Sequence, residues 1–112
     1  MHEASLAEGI IKIALDAAKE NHAAKISEVG VVIGEMSGVE VESLEFSFRL
    51  LTKGTAAESA RLVVQRTSLV ARCGECGNEI HLTEYNFFCP RCGGVLEIIS
   101  GREMQVRYVE AD

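Results

Sequence analysis

Cys73-Gly74-Glu75-Cys76, twelve intervening residues, then Cys89-Pro90-Arg91-Cys92: this stretch organises the chain. Each Cys-x-x-Cys pair is followed by a glycine, Gly77 and Gly93. In such a turn the backbone amides point toward the sulfurs, and the glycine supplies the positive φ that closes it. Two of these turns facing each other make a tetrahedral thiolate site, and all four cysteines of the protein are used. Four thiolates close the coordination sphere, so the metal at Cys73, Cys76, Cys89 and Cys92 is expected to hold structure rather than perform chemistry. Zinc and iron both accept four thiolates, and Cys-Pro-x-Cys-Gly also occurs in rubredoxin-type sites, so the spacing alone does not choose between them. Disulfides are the weaker alternative. The amino terminus carries acidic residues and no cleavable apolar run, so a reducing, cytoplasmic compartment is expected.

Working outward, the rest of the chain must supply a second core. At 112 residues it is one small domain, or one with a metal-bound appendage. Its 47% hydrophobic content supports a core, which four Phe, two Tyr and no Trp make mostly aliphatic. No segment is long enough to span a bilayer. The formal charge is −6, from 17 acidic and 11 basic residues. A nucleic-acid partner needs a basic face, whereas between Leu69 and Glu97 only Arg72 and Arg91 oppose Glu75, Glu79, Glu84 and Glu97. Nucleic acid is therefore not expected as a partner.

Upstream, Ser5-Leu6-Ala7-Glu8 has the form of a capping box, and Leu6, Ile10, Ile13, Ala14 and Ala17 recur at helical spacing. A helix from about Ala4 to Asn21 is predicted, with Ile11, Leu15 and Ala18 widening its apolar face and His22 solvated at its end. Lys25 to Gly34 is β-branched and reads as a strand, with Val29, Val31 and Ile33 on one face. Ser37-Gly38-Val39-Glu40 offers a second capping box. Val41, Leu44, Phe48 and Leu51 then predict a helix ending at Lys53-Gly54. Arg61 to Arg66 alternates as a second strand, and the intervening helix permits a parallel crossover. Met104 to Val109 reads as a third strand returning to the first sheet. Between them Ile80, Leu82, Val95, Leu96 and Ile98 are placed for short strands around the metal. The fold class expected is α+β: a three-stranded mixed sheet with two helices on one face, over 1–68 and 101–112, and an inserted four-cysteine zinc ribbon over 69–100.

Two further features carry chemistry or imitate it. Gly30, Gly34 and Gly38 have the wrong spacing for a nucleotide loop and read as turn or bulge residues. His81, between the cysteine pairs, reads as an exposed strand residue because the metal is already satisfied. Met1-His2-Glu3 is more informative. Histidine at position 2 is too large for removal of the initiator, so Met1 is expected to remain. Its α-amine, with an ordinary pKa of about 7.7–8.0, can lose a proton to a metal near neutral pH. The deprotonated His2 amide then closes a five-membered ring and imidazole Nδ1 a six-membered one. A fourth donor, the Glu3 amide or a partner's group, would complete the square-planar field that nickel(II) and copper(II) favour.

The amino-terminal Met1-His2-Glu3, the Gly34-Glu35-Met36-Ser37 turn and the cysteine ribbon placed before a last strand together resemble the HypA/HybF family of nickel-incorporation proteins of hydrogenase maturation. The resemblance covers essentially the whole chain. It implies a metallochaperone that holds transported nickel at Met1, His2 and Glu3 and structural zinc at Cys73, Cys76, Cys89 and Cys92. It also implies delivery to the hydrogenase large subunit precursor together with the GTPase HypB, and in some members service to urease. A second copy of the chain is a further candidate partner. No enzymatic activity is expected, since there is no nucleophile-and-base motif and no open catalytic metal site. The alternatives are a zinc-ribbon protein-interaction module without nickel transfer, and a rubredoxin-like electron carrier.

Overall fold

The structure is a computed structural model, and it describes residues 2–83 and 86–112. Helix α1 spans Glu3–Glu20 and buries Ala7, Ile10, Ile11, Ala14 and Ala18. The stripe lies slightly rotated from the predicted one, since Ile13 is exposed and Ile11 takes an inward place. The capping box at Ser5 does not form: the N-cap is His2, and Ser5 sits inside the first turn. Tertiary contact decides this start, because the Glu3 carboxylate accepts the Glu40 amide N–H at 3.0 Å and draws the first turn onto the second helix. At the other end Ala23 N–H bonds Ala18 O and His22 N–H bonds Lys19 O, a Schellman closure with His22 at φ 56.

Strand β1 (Ile26–Gly34) leads into a 3₁₀ turn, Glu35–Ser37, and then helix α2 (Val41–Leu51). Here too the predicted cap moves. Ser37 Oγ donates to Gly34 O at 2.7 Å and accepts Val39 N–H at 3.3 Å, so it closes the turn, while Glu40 becomes the N-cap of α2. Val41, Leu44 and Phe48 face inward, whereas Leu51 is exposed. Gly54, at φ 80, ends the helical segment as expected.

Strand β2 (Arg61–Thr67) runs parallel to β1, from Glu28 opposite Arg61 to Gly34 opposite Thr67. The last strand, which in chain order is β6 (Met104–Ala111), lies antiparallel on the other side of β1, with register shifts between Ile26 and Glu28 and between Gly30 and Val31. The sheet is therefore mixed, in the order β2-β1-β6. Val29, Val31 and Ile33 share one core with both helices, which places α1 and α2 on one face.

Between Thr67 and Met104 the chain builds a second sheet from β3 (Val70–Cys73), β4 (Glu79–His81) and β5 (Leu96–Ser100), antiparallel in the order β4-β3-β5. The two outer strands contain Ile80, Leu96 and Ile98 as expected, whereas Leu82 and Val95 fall just outside them. The central one, β3, is not among the predicted strands: its inward residues are Ala71 and Cys73, on either side of exposed Arg72, and a small side chain and a metal-type cysteine give no apolar strand signal. Leu69, Ala71, Cys73, Leu82, Cys89 and Leu96 form a separate small core. Two cores side by side make an elongated molecule: its radius of gyration is 17.6 Å, against about 13 Å for a compact domain near this length.

Candidate metal centre

Each cysteine pair is built by the same local geometry. Cys73 closes β3; its N–H bonds Asn78 O at 2.9 Å and its carbonyl accepts Gly77 N–H at 3.0 Å. Cys89 repeats the pattern, with its N–H on Gly94 O at 2.7 Å and its carbonyl accepting Gly93 N–H at 2.8 Å. Gly77 and Gly93 adopt φ 73 and 77, the left-handed conformation expected of them. An isolated bridge between Phe88 and Val95 ties the second turn to the start of β5.

The two turns bring the four sulfurs within 4.8 Å of one another. Cys73 Sγ lies 3.4 Å from Cys92 Sγ, and Cys76 Sγ lies 3.8 Å from Cys89 Sγ. A metal–sulfur bond of about 2.3 Å in a tetrahedron sets sulfur–sulfur edges of about 3.8 Å, so the cage has the size for zinc. All four are free thiols, and these separations exclude disulfides, whose sulfurs sit about 2.05 Å apart.

Electrostatics favour a cation at the centre. The Cys76 and Glu75 amides, 3.5 and 3.4 Å from Cys73 Sγ, draw that thiol down to about 6. Cys89 is lowered in the same way, first by the Cys92 amide. Cys92 also has an amide to stabilise its thiolate, that of Gly94, yet the neighbouring sulfurs, Cys73 foremost, push it up to about 12. Four thiols this close resist ionising together unless a positive charge sits among them, and a divalent metal supplies it. The residues present therefore fit a tetrathiolate metal. Gly94 belongs to this site as well: a Cβ there would stand 3.0 Å from both Cys73 Sγ and a Glu75 carboxylate oxygen. Its only sequence signal is its place after Gly93.

The amino-terminal residues lie elsewhere. Met1 is outside the described residues. His2 is exposed and makes no capping hydrogen bond with its side chain. Glu3 opens α1, and the Glu40 amide, followed by its own, holds its carboxyl below the usual range. Among the described residues, the four cysteines are the only group of three or more His, Cys, Asp or Glu side chains gathered to hold a metal. His81 is an exposed strand residue, with Nε2 3.1 Å from Glu35 Oε1 and not among the sulfurs.

Comparison with known proteins fits this arrangement. Residues 1–111 match the family described as "Hydrogenase/urease nickel incorporation, metallochaperone, hypA". The chain belongs to the HypA family. It is 39% identical over 113 residues to the hydrogenase maturation factor HypA of Albidiferax ferrireducens, covering 100% of both chains. With that of Chlorobaculum tepidum it shares 41% identity over 108 residues, 96% of each. Among solved structures, the Ni metallochaperone HypA from Helicobacter pylori superposes with a TM-score of 0.69 at 25% identity, covering 99% of this chain and 97% of that one. A second HypA solution structure gives 0.75, also at 25% identity, covering 100% and 97%. The HypA reading thus prevails over an interaction module or an electron carrier. Among the described residues no helix is long and apolar enough to cross a membrane.

Proposed function

We propose that this chain carries nickel(II) on Met1, His2 and Glu3 and delivers it to the hydrogenase large subunit precursor in the cytoplasm, working with the GTPase HypB and catalysing no reaction itself. Cys73, Cys76, Cys89 and Cys92 hold zinc, which orders residues 69–100, while residues 1–68 and 101–112 form the nickel-handling unit. The observation that carries this reading is the placement of His2. In a HypA-family chain it stands exposed as the N-cap of α1, where the first backbone amides have no partner within the helix. Deprotonating an amide at that point breaks no helical hydrogen bond, and the positive end of the helix dipole favours the resulting anion. The Met1 amine, the His2 amide nitrogen and His2 Nδ1 then offer three nitrogens in one plane. Glu3 or an incoming ligand closes the fourth position, and an incoming donor at that place begins release.

The test is calorimetric titration of nickel(II) into the metal-loaded protein with its native Met1, beside His2→Ala and a variant extended by a few residues at the amino terminus. One-to-one binding lost in both variants is expected, because the first removes the imidazole and the second the terminal amine. Full nickel affinity in the extended protein would overturn the site.

A further inference from the structure

Residues 34–40 join the ribbon to the amino terminus by a route that the two strand connections do not provide. At its start the turn is seated on the chain leaving the ribbon. Gly34 N–H bonds Glu103 O at 2.8 Å, and Met36 N–H bonds Gly101 O at 2.7 Å. A Cβ on Gly34 would lie 2.2 Å from the Gly101 carbonyl, so the two backbones touch. The Met36 side chain packs against the ribbon core of Leu69, Ala71, Leu82 and Leu96. Glu35 reaches the ribbon too, at His81.

At its far end the same turn holds the nickel-handling terminus. Ser37 locks the turn through Gly34 O and Val39 N–H, and Gly38, at φ 76, redirects the chain. Val39 then enters the larger core, and the next amide, Glu40 N–H, binds the Glu3 carboxylate. Five residues, Met36 to Glu40, thus span from an apolar anchor against one core to a hydrogen bond on the first residue of α1. The His2 side chain adds no capping bond of its own there.

We propose that Met36 is a positioning residue for the amino-terminal nickel site: packed against the ribbon core, it fixes the 34–40 turn so that the Glu40 amide holds Glu3, and with it the backbone of residues 2 and 3, in the conformation that binds nickel. This assignment rests on the terminal-chelate reading above. The ribbon contributes by being the surface on which Met36 rests.

The experiment compares nickel affinity of the full, metal-loaded chain with Met36→Ser, Met36→Leu, Glu3→Ala and Met36→Ser/Glu3→Ala, with His2→Ala as reference. Met36→Ser is expected to weaken nickel binding about tenfold, the lower end of the cost of losing a group that orients a ligand. Met36→Leu, which keeps the apolar volume, restores it. On the Glu3→Ala background, which leaves the Glu40 N–H no side-chain acceptor at position 3, Met36→Ser has no further effect, because the contact through which it acts is already gone. The nickel absorption band and the Glu40 amide resonance shift in Met36→Ser and return in Met36→Leu, changes that a loss of general stability would not produce. Should Met36→Ser shed its ribbon metal, Glu35→Ala cuts the turn's exposed tether instead and weakens nickel in the same Glu3-dependent way. Unchanged affinity in the folded Met36 or Glu35 variant, or an equal loss with and without Glu3, overturns the assignment. Nickel retained by His2→Ala overturns the terminal site and this assignment with it, whereas nickel lost there but kept by Met36→Ser overturns this assignment alone.

Discussion

Glu28, on the outer face of β1, shows how single residues decide local chemistry in this fold. Its carboxylate accepts the Tyr108 hydroxyl and the Arg61 guanidinium, each at 2.5 Å, so β6, β1 and β2 are tied across the sheet. The Tyr108 ring lies over Gly30, where a Cβ would come within 2.0 Å of it, so glycine is the residue that admits the ring. The Tyr108 hydroxyl first, and Arg61 second, hold the Glu28 carboxyl below its usual range. The sign follows: a depressed carboxylate stabilises the fold above its unfolded pKa, about 4.3, and that contribution is lost as pH falls through the lower folded value. Thermal midpoints from neutrality down to about pH 3 are expected to fall more steeply for the parent than for Glu28→Gln. Parallel curves would show that the pairing does not bear on stability. The same bond raises the Tyr108 hydroxyl, whose contribution holds at neutral pH and is lost as pH climbs through the folded value.

At the scale of elements, the helix ends are where local pattern and structure part. Ser5-x-x-Glu8 and Ser37-x-x-Glu40 both have the letters of a capping box, yet α1 starts two residues before Ser5 and α2 starts four after Ser37. In each case a long-range bond, Glu40 N–H to Glu3, competes with a local one and sets the boundary. The carboxyl end of α1 holds the reverse surprise, because a Schellman closure normally takes glycine at the place His22 occupies. His22 is exposed, and a left-handed conformation costs a residue with a Cβ about 1–2 kcal/mol, so His22→Gly is expected to raise unfolding stability by about 1 kcal/mol in chemical denaturation. A loss instead would mean that the imidazole makes a stabilising contact.

For the whole molecule, two cores of unequal size predict unequal dependence on metal. The larger is built from both helices and the β2-β1-β6 sheet, whereas the ribbon core has, among the described residues, six buried ones, two of them cysteines. So small a core cannot offset chain entropy without its ion. A chelator is expected to abolish amide-exchange protection across β3, β4 and β5 while β1, β2 and β6 keep theirs. Loss throughout would show that the cores unfold as one unit. What the sequence by itself determined follows from local periodicity and reach: α1, α2, the three strands of the mixed sheet, and the two cysteine turns with Gly77 and Gly93. These are readable because a few neighbouring residues carry the whole signal. Tertiary structure alone decided the rest: the helix starts, the strand β3 that pairs on both edges, the glycine at 94 beside the sulfurs, and the turn from Gly34 to Glu40 that links ribbon to amino terminus. Each of these depends on residues apart in the chain, Glu3 with Glu40, Arg72 with Glu79 and Glu97, Met36 with the ribbon core, and contacts at such separations leave no local pattern to read.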